Sequence, residues 1–240
     1  MEMHAMDFDE ELEQMKVAVK AAEDEIMQAV MFHESWKPTA YDESLQARMG
    51  NSYATHTFHI VRHALRREML LALMRIWDTN KQALRMSAIA DKLKKIEFFN
   101  DLVVVRAKTR GSSTIDMRSA LEPKRDKVVE LVRKYSANGD GFAVFERVKT
   151  LRHERLAHRQ IGPTRMKPTD ADGANVPDKE IEVFHNDTVE IVRLLLSVVH
   201  ATAFDIASDG AGVYEHHAKF FWAAARGERT EGHPSYMPPA

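Results

Sequence analysis

Leu151-Arg152-His153-Glu154-Arg155-Leu156-Ala157-His158-Arg159 decides how this chain is read. Arg152, His153, Arg155, His158 and Arg159 put five basic or potentially basic side chains into nine residues, directly after an apolar helical pattern. Phe145, Val148 and Leu151 recur every three residues, as one face of a helix does. Measured from Val148 at about 100° per residue, Arg152, Arg155 and Arg159 fall within roughly 40° of the same direction. The face that begins as core therefore continues as arginine. Unpaired charge is costly to bury, so the end of this helix must meet a cleft, a partner chain or a bound anion.

Outward from this segment, the chain reads as a succession of helices. Phe8, Leu12, Met15, Val19, Ala22, Ile26 and Ala29 alternate four and three apart, a heptad stripe on one long helix. The stripe is short for an independent coiled coil, which favours packing within the protomer over a dimer seam. Trp36-Lys37-Pro38 is expected to end it. A second helix is expected from Ser52 to Trp77, with Phe58, Val61, Leu65, Met69, Ala72 and Ile76 as its core stripe and Asp78-Thr79-Asn80 as turn chemistry. A third covers Ser87 to Arg106, taking in the β-branched run Leu102-Val103-Val104-Val105 as a buried helix end. Arg110 to Thr114 is a loop, and Ala120 to Tyr135 a fourth helix. Asn138-Gly139-Asp140-Gly141 is the clearest break, with Asp140 as the expected N-cap of the helix that follows. Ile161 to Val183 is rich in Pro, Gly and Asp and reads as a long loop, a substrate-side or partner-side element or plain disorder. Val189, Val192, Leu196, Val199, Ala203 and Ile206 mark the last core helix. Phe220-Phe221-Trp222 marks a short docking helix, and residues from Gly227 onward read as a tail.

Composition bounds the function. The 240 residues are 44% hydrophobic, enough for a sizeable core. A net charge of −2 gives no global field for nucleic acid, so any RNA contact must come from a local basic patch. The absence of cysteine excludes disulfides, thiolate metal sites and cysteine nucleophiles, and fits a cytoplasmic protein. No apolar run approaches a membrane span, and the acidic N-terminus is unlike a signal peptide.

Arg152 and His158 stand as Arg-polar-x4-His, with His153 at the polar position. Arg75-Ile76-Trp77-Asp78-Thr79-Asn80 closes a long apolar helix, and Leu84-Arg85-Met86-Ser87-Ala88-Ile89 opens the next. In this order the elements resemble the HEPN superfamily, in its abortive-infection (AbiU-type) branch, over residues 50 to 205. The resemblance implies an all-α HEPN-type helical bundle, here with an extra N-terminal long helix (1–50), the HEPN-like domain (51–208) and a C-terminal docking helix and tail (209–240). It also implies a homodimeric, metal-independent endoribonuclease of a toxin-like or phage-defence system, with RNA as substrate, an antitoxin protein as a further partner, no cofactor and no membrane association. HEPN toxins silenced by tyrosine nucleotidylation carry Tyr two residues after the His. Gln160 stands there in this chain.

Metal-free RNA cleavage needs a base for the 2′-hydroxyl, an acid for the leaving oxygen and positive charge at phosphorus. Histidine suits the proton transfers and the arginine fork suits phosphate oxygens. The resemblance assigns His158 to proton transfer, Arg152 to phosphate and transition-state contact, and His153 to orientation. Arg155 and Arg159 would bind RNA phosphates. On an ideal helix Arg152 and His158 lie about 120° and about 9 Å apart, so they meet only through the long arginine, a bent helix end or a partner subunit. The alternatives are a helical RNA- or nucleotide-binding module without turnover, and a structural or interaction protein in which these arginines make salt bridges. Asp78 reads as a turn residue accepting backbone N–H groups, or as functional by its family position.

Two histidine patterns raise the question of metal. His153-Glu154…His158 is one residue longer than the zinc-protease HExxH, and ligands five apart diverge by about 140°, so it is rejected. His56, His59 and His63 lie within about 60° on one helix face and form a weak metal candidate. The competing readings are a solvent-facing polar surface and a face that borders the cleft and touches RNA.

Overall fold

The computed structural model describes residues 7–50, 52–78, 80, 85–152 and 176–225. The elements are α1 (Phe8–Tyr41), α2 (Glu43–Gly50), α3 (Thr55–Ile76), α4 (Met86–Lys94), α5 (Ile96–Arg110), α6 (Thr114–Lys134), α7 (Phe142–Leu151), α8 (Asp178–Leu195) and α9 (Ala211–Ala224). Wide π-type turns at Leu196–His200 and Ile206–Gly210 join the last two. No strand occurs among the described residues, so the fold is all-α. Among the described residues one antiparallel bridge pairs Trp77, after α3, with Arg85, before α4.

The heptad stripe of α1 is core. Leu12, Met15, Val19, Ala22, Ile26 and Ala29 are all buried within the one chain, with Phe8 partly buried against Phe98. Helix α1 packs along α3, where Met69, Ala72, Leu73 and Ile76 are buried. Apolar surface removed from water in this way contributes roughly 25 cal/mol per Å², which makes the α1–α3 pair the central layer of the bundle. A smaller cluster of Leu45, Met49, Phe58, Ala218 and Trp222 docks α9 onto α2 and α3. Trp222 anchors α9 by donating its indole N–H to the Ser35 carbonyl at 2.8 Å, while Phe220 and Phe221 face outward.

Several expected boundaries differ. Helix α1 continues through Pro38 to Tyr41. Proline removes one donor, but so near the helix end the ladder resumes at once, with Asp42 N–H donating to the Pro38 carbonyl. Gln46 Nε2 then donates to the Thr39 and Ala40 carbonyls, satisfying the last turn. The expected third helix is two, broken at Lys95, whose extended backbone (φ −66°, ψ 116°) turns the chain between α4 and α5. Leu102 and Val103 are buried in helix while Val104 is exposed. Helix α6 begins at Thr114, six residues before the expected start, because Ser113 Oγ caps it by accepting Asp116 N–H.

The break at residues 138–141 is present, but Gly141 and not Asp140 occupies the N-cap of α7, with no side-chain cap. Close approach selects glycine there, since a Cβ on Gly139 would lie 2.2 Å from the Lys134 carbonyl oxygen. Helix α8 starts at Asp178, inside the stretch read as loop up to Val183. It does not run on to Ile206. Ala201 adopts a left-handed conformation (φ 63°) and Ala203 is an exposed linker residue. The widened turn frees carbonyls, and Arg106 donates to that of Val198.

Candidate functional site

Helix α7 presents Phe145, Val148 and Leu151 to the core, and Arg152 follows at its end. The neighbouring corner is built by Trp77, which is 6% exposed and closes α3. Its ring meets Tyr135 at 5.4 Å, Phe184 at 5.6 Å and Phe145 at 5.9 Å, and its indole N–H donates to Thr188 Oγ1 at 3.0 Å. Four helices, α3, α6, α7 and α8, thereby meet around one indole. Large aromatic area with a satisfied N–H is what lets Trp act as such an anchor.

Asp78 follows the anchor and turns outward. Its Oδ1 accepts the Asn80 N–H at 2.9 Å, the expected turn role. Its Oδ2 accepts from both Nη1 and Nη2 of Arg152 at 3.0 Å each. Both side chains are partly exposed, 22% for Arg152 and 20% for Asp78. Asp78 therefore fills the turn role and pairs with Arg152 at once. One carboxylate oxygen thus accepts from both terminal nitrogens and holds the guanidinium end-on. A planar cation held this way is suited to oxyanion recognition. It is equally a satisfied ion pair. His153, Arg155, His158 and Arg159 lie outside the described residues.

His56, His59 and His63 are exposed along α3. His59 and His63 line a cavity of about 220 Å³ with Arg62, Arg66 and Asp178. Two guanidinium groups in the same cavity bias it toward anions and against a metal cation. Among the described residues no group of three or more His, Asp or Glu is placed to hold a metal ion.

A buried charged cluster lies beneath these surfaces, and the sequence reading missed it. His33 is 2% exposed, with Nδ1 2.8 Å from Glu34 Oε1 and Nε2 2.8 Å from Glu182 Oε1. Ionised carboxylates only accept, so both ring nitrogens carry protons and the group is an imidazolium. Burial opposes that charge, but the bonds to Glu182 and Glu34 outweigh it and raise the His33 pKa. Burial likewise works against charge on Glu34 and Glu182, and the same histidine lowers both carboxyls. His185 stacks on His33 with ring centroids 4.0 Å apart. Burial, then the His33 charge, pushes His185 down to about 4. The signal was present in the sequence. His33 extends the α1 stripe four residues past Ala29, and His185 sits four before Val189 on the α8 stripe.

The all-α bundle agrees with the fold class that the HEPN resemblance implies. The chain matches the HEPN_AbiU2 family model, described as AbiU2, over residues 12–221, and it belongs to that family. No curated protein and no solved structure matches it. Membership suggests an abortive-infection, RNase-like role. No helix among the described residues is long and apolar enough to cross a membrane.

Proposed function

We propose that the protein is a metal-independent endoribonuclease of an abortive-infection or toxin-like system. The observation that carries this reading is Arg152, fixed by Asp78 at the edge of the bundle with its side chain still partly open to solvent. Arg152 contacts a non-bridging phosphate oxygen and neutralises the charge that develops at phosphorus. His158 moves protons. As a base it takes the proton of the 2′-hydroxyl, whose oxygen attacks phosphorus while the 5′-oxygen leaves and is protonated by a second acid. The products are a 2′,3′-cyclic phosphate and a 5′-hydroxyl. A homodimer that faces the two 152–159 segments across one cleft supplies the second histidine. His153 orients the pair, and Arg155 and Arg159 hold flanking phosphates. An antitoxin protein that covers this cleft would silence it.

Incubation of purified protein with RNA tests the reading. Fragments ending in cyclic phosphate, formed by wild type and not by Arg152→Ala, support it. The second reading, an RNA-binding module without turnover, is favoured by the same ion pair, because a satisfied Asp78–Arg152 bridge needs no reaction to explain it. RNA binding with no fragments at any enzyme concentration selects that reading.

A further inference from the structure

The face of α3 that carries His56, His59 and His63 has a use that the Arg152 site does not absorb. One to two turns along it stand Arg62 and Arg66, and the start of α8 packs opposite. Arg66 Nε donates to Asp178 Oδ1 at 3.0 Å, and Arg62 Nη2 lies a looser 3.8 Å from Asp178 Oδ2. Two guanidinium groups thus converge on one carboxylate, in a concave site whose other described lining groups are two imidazoles. The three charged side chains remain partly exposed, at 29%, 21% and 32% for Arg62, Arg66 and Asp178. Arg66 Nη2 also donates to the Val176 carbonyl at 2.8 Å, so the pocket is tied to the backbone just before α8.

Two arginines around a single oxyanion is the donor geometry that phosphate accepts. Full charges in this pocket count two positive against one negative, so the aspartate does not neutralise it. A phosphodiester carries the same charge as the carboxylate and also offers two non-bridging oxygens to donors at different angles. Both histidines add N–H donors. We propose that this pocket between α3 and the start of α8 is a phosphate-binding subsite for single-stranded RNA. Asp178 holds Arg62 and Arg66 in place of the phosphate until RNA arrives. The identity of the ligand as RNA rests on the ribonuclease reading. The anion specificity rests on the pocket alone.

The test uses the full chain and a fluorescent 2′-O-methyl oligoribonucleotide, which has no free 2′-hydroxyl and cannot be cleaved by the proposed route. Binding is followed by anisotropy across a salt series. Arg62→Ala should weaken binding about tenfold, the value of one lost charge-assisted contact. It should also reduce the slope of log affinity on log salt by about 0.7. Asp178→Asn should tighten binding, because it removes the internal competitor. That gain is opposite to what loss of a structural ion pair would give. Melting temperatures within a few degrees of wild type show that each variant is folded. Unchanged or weaker binding by a folded Asp178→Asn variant overturns the proposal, as does wild type that fails to bind the probe. Displacement of the probe by millimolar adenosine monophosphate, with the same dependence on Arg62, overturns the assignment to a polymer. The two readings separate cleanly. A protein that shows these affinity changes but never cuts RNA keeps the subsite and loses the nuclease. One that cuts RNA with affinities untouched by either variant keeps the nuclease and loses the subsite.

Discussion

Asp78 and Arg152 lie 74 positions apart in the chain, yet both terminal nitrogens of the arginine reach one carboxylate oxygen at 3.0 Å. The pairing ties the end of α7 to the turn that follows α3, and Trp77 immediately before Asp78 locks that turn into the core. Arg152 is therefore held by a turn that Trp77 anchors among Tyr135, Phe145 and Phe184.

Arg152→Ala should lower RNA cleavage by about 100-fold or more, the scale of losing one preorganised oxyanion donor. Its effect on stability should stay near 1 kcal/mol, because the pair is partly exposed. Arg152→Lys should recover only part of the rate, since an ammonium cannot present the fork. Single-turnover kinetics beside thermal melts separates the two effects. Equal losses of rate and fold would make the arginine structural.

Asp78→Asn should reduce kcat with little change in KM. The amide still accepts the Asn80 N–H but no longer holds the guanidinium by charge. A rise in KM alone would show that Asp78 serves substrate binding and not positioning.

His158→Ala should remove cleavage by about 10²–10⁴-fold, the usual worth of general acid–base catalysis. Activity should persist in EDTA, because arginine supplies the charge and histidine the proton transfer. Loss of cleavage in EDTA with recovery in zinc would instead direct attention to the His56, His59 and His63 face.

Trp77→Ala should cost about 3–5 kcal/mol in urea denaturation, as large-to-small changes at fully packed aromatic sites do. Thr188→Val should cost about 1–3 kcal/mol by leaving the indole N–H unpaired in the core. A near-neutral Thr188→Val would show that a water replaces the hydroxyl.

The buried cluster gives stability a pH dependence with two limbs. His185 is held near 4 against an ordinary 6.5, so the unfolded chain binds its proton more readily. Stability from keeping it neutral is complete above about pH 6.5 and is lost as pH falls toward 4. Glu34 and Glu182, also lowered, add to that acid loss at still lower pH. His33 is raised, so its contribution is full below about 6.5 and fades as pH climbs through its folded value. Melts across pH 4 to 9 should show a maximum between the limbs. His185→Gln should flatten the acid limb between 6.5 and 4. Parallel curves for wild type and variant would remove His185 as its cause.

What the sequence alone determined was periodic. The stripe from Leu12 to Ala29 and the Phe145-Val148-Leu151 face are buried where their spacing put them, and so is the α3 stripe except for the partly buried Val61 and Leu65. The Trp77-Asp78 turn and the ensuing Arg152 were legible too, together with the family they imply. Boundaries governed by one residue against local preference were not. Helix α1 runs on through Pro38, and the break at the exposed Lys95 has no proline or glycine to signal it. The ion pairs were the least legible. Asp78 with Arg152, Asp178 with Arg66, and His33 with Glu182 join positions 74, 112 and 149 residues apart. Helical periodicity reports only which face a residue occupies, over a few turns. Which charged side chain stands opposite across a helix–helix contact is set by crossing angle and register, and those exist only once the bundle has packed.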